Sequence, residues 1–242
     1  MSNRASVNIP LAPPKRERNA TETKRRLLDA GEAEFAAKGF DGARLANIAR
    51  AAGVQQALIH HYFADKEGLY REVIARGLDA VTAAGWTILQ RLAPPRAHGS
   101  GTRTSVRTSG KKRMSPADIE ALVHAFVEHL VDFYATHGTL LLILRYEAER
   151  GGPFASDIIA TTVRPQFDEI CARLDEMRAR GETRRDLDAR HLCISAVAMA
   201  CYPFTEQRFL AAVWPIDPHD PVFLKDRKRE ICQTLLARML HV

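Results

Sequence analysis

Apolar side chains recur at helical spacing through most of this chain, and the period breaks at a small set of glycines, prolines and capping residues. Leu27, Leu28, Ala30 and Phe35 form a first stripe, opened by Asn19 and Glu22 as a capping pair and closed by Gly39. A second, short helix from Arg44 to Ala51 buries Leu45, Ile48 and Ala49, and a third spans Gln55 to Phe63. Gly53 lies between them. A residue free to take positive φ lets the chain reverse within three or four positions, so the pair predicts a helix-turn-helix. Asp65 caps a fourth helix over Lys66–Arg91, which at 1.5 Å per residue spans roughly 40 Å. That is long enough to join two domains.

The helical period is lost over residues 94–116, where Pro94, Pro95, Gly99, Gly101 and Gly110 are scattered among Ser, Thr, Arg and Lys. Ser115, Pro116 and Asp118 then supply an N-cap, an N1 proline and an N3 carboxylate. On the helix they open, Ile119, Leu122, Val123, Phe126, Leu130, Phe133 and Tyr134 share one face. Leu140 to Leu144 is apolar all round and reads as central in a bundle. Further helices are expected at 156–180, kinked at Pro165, at 188–212, kinked at Pro203, and at 221–241. No stretch alternates as a strand does. The prediction is an all-α chain with a flexible basic arm at 1–18, a helix-turn-helix domain at 19–65 and a helical domain at 66–242 carrying the 94–116 insertion.

Charge sharpens this division. The chain has 242 residues and a net charge of +6, with 46% apolar and 26% charged residues, ordinary globular usage. Residues 1–64 hold ten Lys/Arg against six Asp/Glu, and 94–116 hold six against none, whereas 117–242 hold fifteen against nineteen. The basic N-terminal part suits a polyanion; the acidic remainder needs another role. No apolar run resembles a signal peptide or a membrane span, so the expected location is cytoplasmic, without a membrane partner. Cys171, Cys193, Cys201 and Cys232 form no C-x-x-C pair and read as reduced core thiols. His124 and Glu128 have a chelating spacing but lie opposite Phe126 and Leu130, which makes them a solvated pair. With no phosphate loop, nucleophile elbow or His-Glu-x-x-His motif, neither catalysis nor a cofactor nor a metal is expected.

Gly39-Phe40, Ile48-Ala49, Ala52-Gly53-Val54, Ile59-His60-His61-Tyr62-Phe63 and Asp65-Lys66-Glu67-Gly68-Leu69 together resemble the N-terminal domain of the TetR family of bacterial transcriptional regulators, over residues 20–75. Beyond residue 75 the likeness is one of architecture and size. The resemblance implies double-stranded DNA as partner, a homodimer reading a palindromic operator, and a small-molecule effector that releases a repressor. The competing class is an all-α ligand-binding or protein-interaction module without specific DNA binding. The chain departs from the family where Ala43 and Arg44 replace a common Thr or Ser cap, and Gln55, Leu58 and His60 replace a common Ser, Thr and Tyr. An operator sequence is therefore not transferable.

In a helix-turn-helix the N-terminal residues of the second helix face base edges. Gln55, Gln56, His60 and His61 occupy that end and the outward face, and Gln56 is suited to bidentate pairing with adenine. Tyr62 and Lys66 match family positions that touch phosphate; Arg44, opening the preceding helix, is placed to do the same. The candidate effector lining is Phe126, Phe133, Tyr134, Tyr146, Phe167, Met199 and Tyr202, with Arg145 either meeting an effector carboxylate or pairing with Glu149. A dimer interface is expected from Cys193, Ala196, Val197 and Ala200 on one helix and Leu224, Ile231, Cys232, Leu235 and Met239 on the closing one.

Overall fold

The computed structural model describes residues 15–92 and 113–240, and every regular element among them is an α-helix. The elements are α1 (Lys15–Gly42), α2 (Leu45–Ala51), α3 (Ala57–Phe63), α4 (Lys66–Leu92), α5 (Pro116–Thr136), α6 (Gly138–Glu149), α7 (Ala155–Thr162), α8 (Arg164–Ala179), α9 (Ala189–Thr205), α10 (Gln207–Val213) and α11 (Pro221–Met239). Contacts divide the chain into two units after Val73, eight residues into α4 rather than at its start.

In the first unit the expected capping pair at Asn19 does not open α1. The helix already runs from Lys15, so Lys15 to Arg18 belong to it rather than to an arm, while residues 1–14 lie outside the described residues. The regular path of α1 breaks at Gly39, with φ 65°. Gly53 turns the chain between α2 and α3 at φ 66°, where a side chain would strain the backbone. Leu27, Phe35, Ile48, Ile59 and Leu69 are fully buried, and Tyr70 packs edge-on to Phe35 at 4.7 Å and against Phe40 at 5.0 Å. This packing assigns the first turns of α4 to the first unit. Asp65 caps α4 as expected, its Oδ1 accepting from the Gly68 N–H at 2.8 Å.

In the second unit Ser115 caps α5, with Ser115 Oγ accepting from the Asp118 N–H and Asp118 Oδ2 accepting from the Ser115 N–H. Pro116 is therefore helical; residues 94–112 of the expected insertion lie outside the described residues. Val123, Val127 and Val131 of α5 meet Cys171 and Leu174 of α8, Cys193, Ala196 and Ala200 of α9, and Ile231, Leu235 and Met239 of α11 in one core. The run in α6 is not buried all round, since Leu140, Leu141 and Ile143 are buried but Leu142 is exposed.

Two proline expectations need correcting. The 156–180 segment is two helices, α7 and α8, separated at Val163, with Pro165 in the first turn of α8 where a missing N–H costs nothing. The 188–212 segment is also two helices, but the break falls after Thr205, and Pro203 stays inside α9. Proline leaves the carbonyl four residues back without its helical donor, here Met199. Arg227 of α11 supplies donors instead, from Nη2 at 2.7 Å and Nε at 3.1 Å. Desolvation lowers the pKa of this half-buried guanidinium.

The interface stripe also turns inward. Cys193, Ala196, Ala200, Ile231, Cys232, Leu235 and Met239 are each at most 5% exposed in the chain's own core, and Leu224 is half-buried beside it. A side chain enclosed by its own protomer has no surface left for a partner. Of the expected set only Val197 is exposed.

Candidate nucleic-acid interface and effector cavity

The first unit presents the residues singled out for DNA at the start and outer side of α3. Gln55 is in the turn and Gln56 at the N-cap of α3, both exposed, with their carbonyls accepting from the N–H groups of Leu58 and Ile59. His61 is exposed with its ring edge-on to Tyr62 at 5.0 Å, and Tyr62 is half-buried. His60 is exposed but turned along its own helix, Nδ1 donating to the Ala64 carbonyl at 2.9 Å. Lys66 is half-buried and internally engaged, donating to the Asp41 carbonyl at 3.2 Å with its ammonium 4.9 Å from the Phe40 ring centre. A phosphate contact from Lys66 would exchange this carbonyl for an anion.

Arg44 is the exposed N-cap residue of α2 and makes no side-chain capping bond. Sequence reasoning missed what replaces that cap. Glu34 of α1 reaches across, Oε1 accepting from the Arg44 N–H at 3.2 Å and from Asn47 Nδ2 at 3.0 Å. Asn47 Oδ1 in turn accepts from Arg50 at 2.6 Å. The Asn47 hydrogen bond, with help from the Arg44 amide, holds the Glu34 carboxyl below its ordinary pKa. The missing Thr or Ser at 43 and 44 was the signal for such a substitute.

The second unit holds a partly open cavity of about 80 Å³ between α4, α5, α8, α9 and α11. Its lining is apolar apart from Arg173 and the Cys193 thiol, and includes Leu89, Phe126, Ile170 and Met239. Burial pushes the Cys193 thiol up to about 12 and raises that of Cys171, so both stay protonated and behave as small apolar groups. Among the described residues no group of three or more His, Cys, Asp or Glu is placed to hold a metal, and no helix is long and apolar enough to cross a membrane.

Of the eight expected effector residues, the structure brings Phe126 alone to this cavity. Phe133 is buried and stacks on His137 at 4.2 Å, while Tyr134 is half-buried and its phenol pKa is raised by burial. Phe167 lies 5.8 Å from the Arg190 guanidinium, and the Met199 carbonyl is taken by Arg227. Tyr146 and Tyr202 are exposed. Arg145 pairs with Glu149 at 3.4 Å and Glu206 at 3.1 Å and donates to the Thr205 carbonyl at 3.0 Å, so it stays outside the core.

Three side chains bind backbone carbonyls along the second-unit part of α4. His129 Nε2 donates to Val81 at 3.2 Å, Gln166 Nε2 to Thr82 at 2.8 Å and Arg173 Nη1 to Leu89 at 3.2 Å. Gly85 permits the middle contact, because a Cβ there would lie 2.6 Å from Gln166 Nε2.

Two family descriptions match these two units. "Bacterial regulatory proteins, tetR family" covers residues 27–73, and "Tetracyclin repressor-like, C-terminal domain" covers residues 120–235. The chain belongs to the TetR family. Among curated members it is similar to the HTH-type transcriptional regulator RutR of Escherichia coli K12, 40% identical over 27% of this chain and 31% of RutR. It is also similar to the HTH-type transcriptional repressor SCO4008 of Streptomyces coelicolor, 27% identical over 56% of this chain and 54% of that protein. The chain thus spans under a third of RutR and about half of SCO4008. Among solved structures, AibR in complex with isovaleryl coenzyme A and operator DNA superposes with a TM-score of 0.63 at 15% identity, covering 89% of this chain and 99% of that one. This likeness shows the TetR fold, an N-terminal helix-turn-helix followed by a helical domain.

Proposed function

We propose that this TetR-family chain is a homodimeric transcriptional repressor that reads a pseudo-palindromic operator and leaves it when a small molecule enters the cavity of the second unit. The observation that carries the reading is the exposed polar start of α3, with Gln55, Gln56 and His61 outward on a helix-turn-helix whose reverse face is packed by Ile59 and Phe63. AibR, solved with both a ligand and operator DNA, supports the pairing of the two activities on this fold. Direct base contacts are assigned to Gln55, Gln56, His60 and His61, and phosphate contacts to Arg44, Tyr62 and Lys66.

The interface of the proposed dimer moves to the outer face of α9. Ile194 is 57% exposed, Val197 38% and Tyr202 49%, and the apolar surface continues through Phe209, Val213 and Trp214, exposed in and just after α10. From Ile194 to Thr205 α9 carries no charged residue. A second copy of the chain would cover this surface isologously. The release mechanism follows from α4. Gly85 and Leu89 line the cavity and α4 continues into the first unit, so a ligand bearing on it alters how two recognition helices meet half-sites about 34 Å apart.

The test is binding of the purified protein to the duplex upstream of its own gene against a scrambled duplex, across a salt series. Specific binding that weakens steeply with salt is expected. Equal affinity for both duplexes removes the repressor reading and leaves an interaction module.

A further inference from the structure

The cavity of the second unit contains more chemical information than its size. Apart from Arg173 its lining offers a ligand only weak sulfur partners, so the inserted part is expected to be hydrocarbon. At about 80 Å³ it has roughly half the ~150 Å³ that admits benzene, enough for about three or four carbons. Arg173 is the only charged residue among those lining it, and its side chain is 26% exposed. Glu169 Oε1 receives Nε and Nη2, each at 2.8 Å, and the Leu89 carbonyl receives Nη1 at 3.2 Å. These contacts use three of the five N–H donors of a guanidinium. Among the described residues the other two donors are left over, on a side chain that lines an otherwise apolar space.

We infer that the effector is a short-chain aliphatic carboxylate, its hydrocarbon group filling the cavity beside Phe126, Ile170 and Met239 and its carboxylate bound by Arg173 in competition with Glu169. This rests on the ligand-responsive reading above and specifies the ligand. A carboxylate accepts two parallel N–H bonds from guanidinium, which a neutral head group cannot match. Glu169 is the internal stand-in for that ligand group. It keeps Arg173 satisfied in its absence and opposes it electrostatically on arrival.

The two partners of this ion pair therefore affect binding with opposite signs. The full-length protein is titrated calorimetrically with the n-alkanoates from acetate to octanoate and with the matching 1-alkanols. Alkanoates are expected to bind more tightly than alkanols of equal length, with affinity rising about fourfold per methylene until the cavity is full. Arg173→Gln should weaken alkanoates about 10- to 100-fold and leave alkanols unchanged. Glu169→Gln should tighten alkanoates, which keeps the inference falsifiable if Arg173→Gln fails to fold. Alkanols binding as well as alkanoates, equal loss of both classes in Arg173→Gln, or no gain in Glu169→Gln would each overturn it. Calorimetry needs no DNA, so failure of operator binding and failure of this ligand class are read independently.

Discussion

The surface offered to DNA and the cavity offered to a ligand are built in opposite ways. The first comes from residues within 23 positions of one another, Arg44 to Lys66, on and beside two seven-residue helices around one glycine turn and at the start of α4. The second lies between α4, α5, α8, α9 and α11, and no two neighbouring helices suffice to define it. A surface that meets a repeating polymer needs particular side chains at particular spacings, whereas a cavity needs only that apolar volumes from distant helices fail to fill one point. The first is a pattern. The second is a remainder.

The sharpest way to break this contrast is to place a charge on either side of α9 and α11. Leu235→Glu buries an unpaired carboxylate in a site 4% exposed and should cost several kcal/mol, unfolding the second unit. Ile194→Glu sits on exposed surface and should leave thermal stability unchanged while producing monomers that lose the operator. Sedimentation and thermal melting of both variants check this; a stable dimeric Ile194→Glu would place the interface elsewhere.

Next in size is Arg227→Met, which removes the donors that cover the Met199 carbonyl opposite Pro203. Leaving that carbonyl unsatisfied should cost about 1 to 3 kcal/mol, seen as a lower midpoint in urea. An unchanged midpoint would mean that Pro203 is tolerated without help. On the DNA side Gln56→Ala should lose a similar 1 to 3 kcal/mol, but only of discrimination at one position of each half-site, with stability untouched. Lys66→Ala should instead weaken cognate and scrambled duplexes alike. Equal losses from Gln56→Ala on both duplexes would remove it from the base contacts.

The smallest effect tests whether the local motif is as local as it looks. Glu34→Ala removes the carboxylate that caps α2 from α1 and should cost about 1 kcal/mol. Its folded pKa is depressed, so its contribution is present above the unfolded-state value and is lost as pH falls through the folded one. Thermal melting from pH 7 to 3 should therefore show a smaller acid loss in Glu34→Gln than in the parent. Identical acid profiles would show that the cap adds nothing.

Legibility followed the same contrast. The α2–turn–α3 unit, the Asp65 and Ser115 caps and the all-helical class were readable because each depends on side chains within a few residues. Asn19 misled because capping residues are also tolerated inside a helix, and the segments expected around Pro165 and Pro203 each proved to be two helices. At Pro203 the helix continues, and the Met199 carbonyl it leaves open is covered by Arg227, 24 positions away from the proline. Seven of the eight effector candidates lie away from the cavity because a large side chain, aromatic or not, does not say which face of a helix points inward. The interface stripe was a true stripe with its side misjudged. Cys193, Ala196 and Ala200 pack into the chain's own core, and the exposed apolar residues Ile194 and Tyr202, to which the proposed interface moves, stand on another face of α9.

By itself the sequence determined the secondary structure class, the turn at Gly53, the caps and the outward residues of α3, since these follow from backbone conformation and hydrogen bonds over a single turn of helix. Tertiary structure alone decided which stripe of α9 is core, that Glu34 stands in for a missing cap, and that Arg173 closes an apolar cavity against the Leu89 carbonyl of α4. Helical period places a side chain on a face, but only the packing of other helices decides whether that face meets core, solvent or ligand.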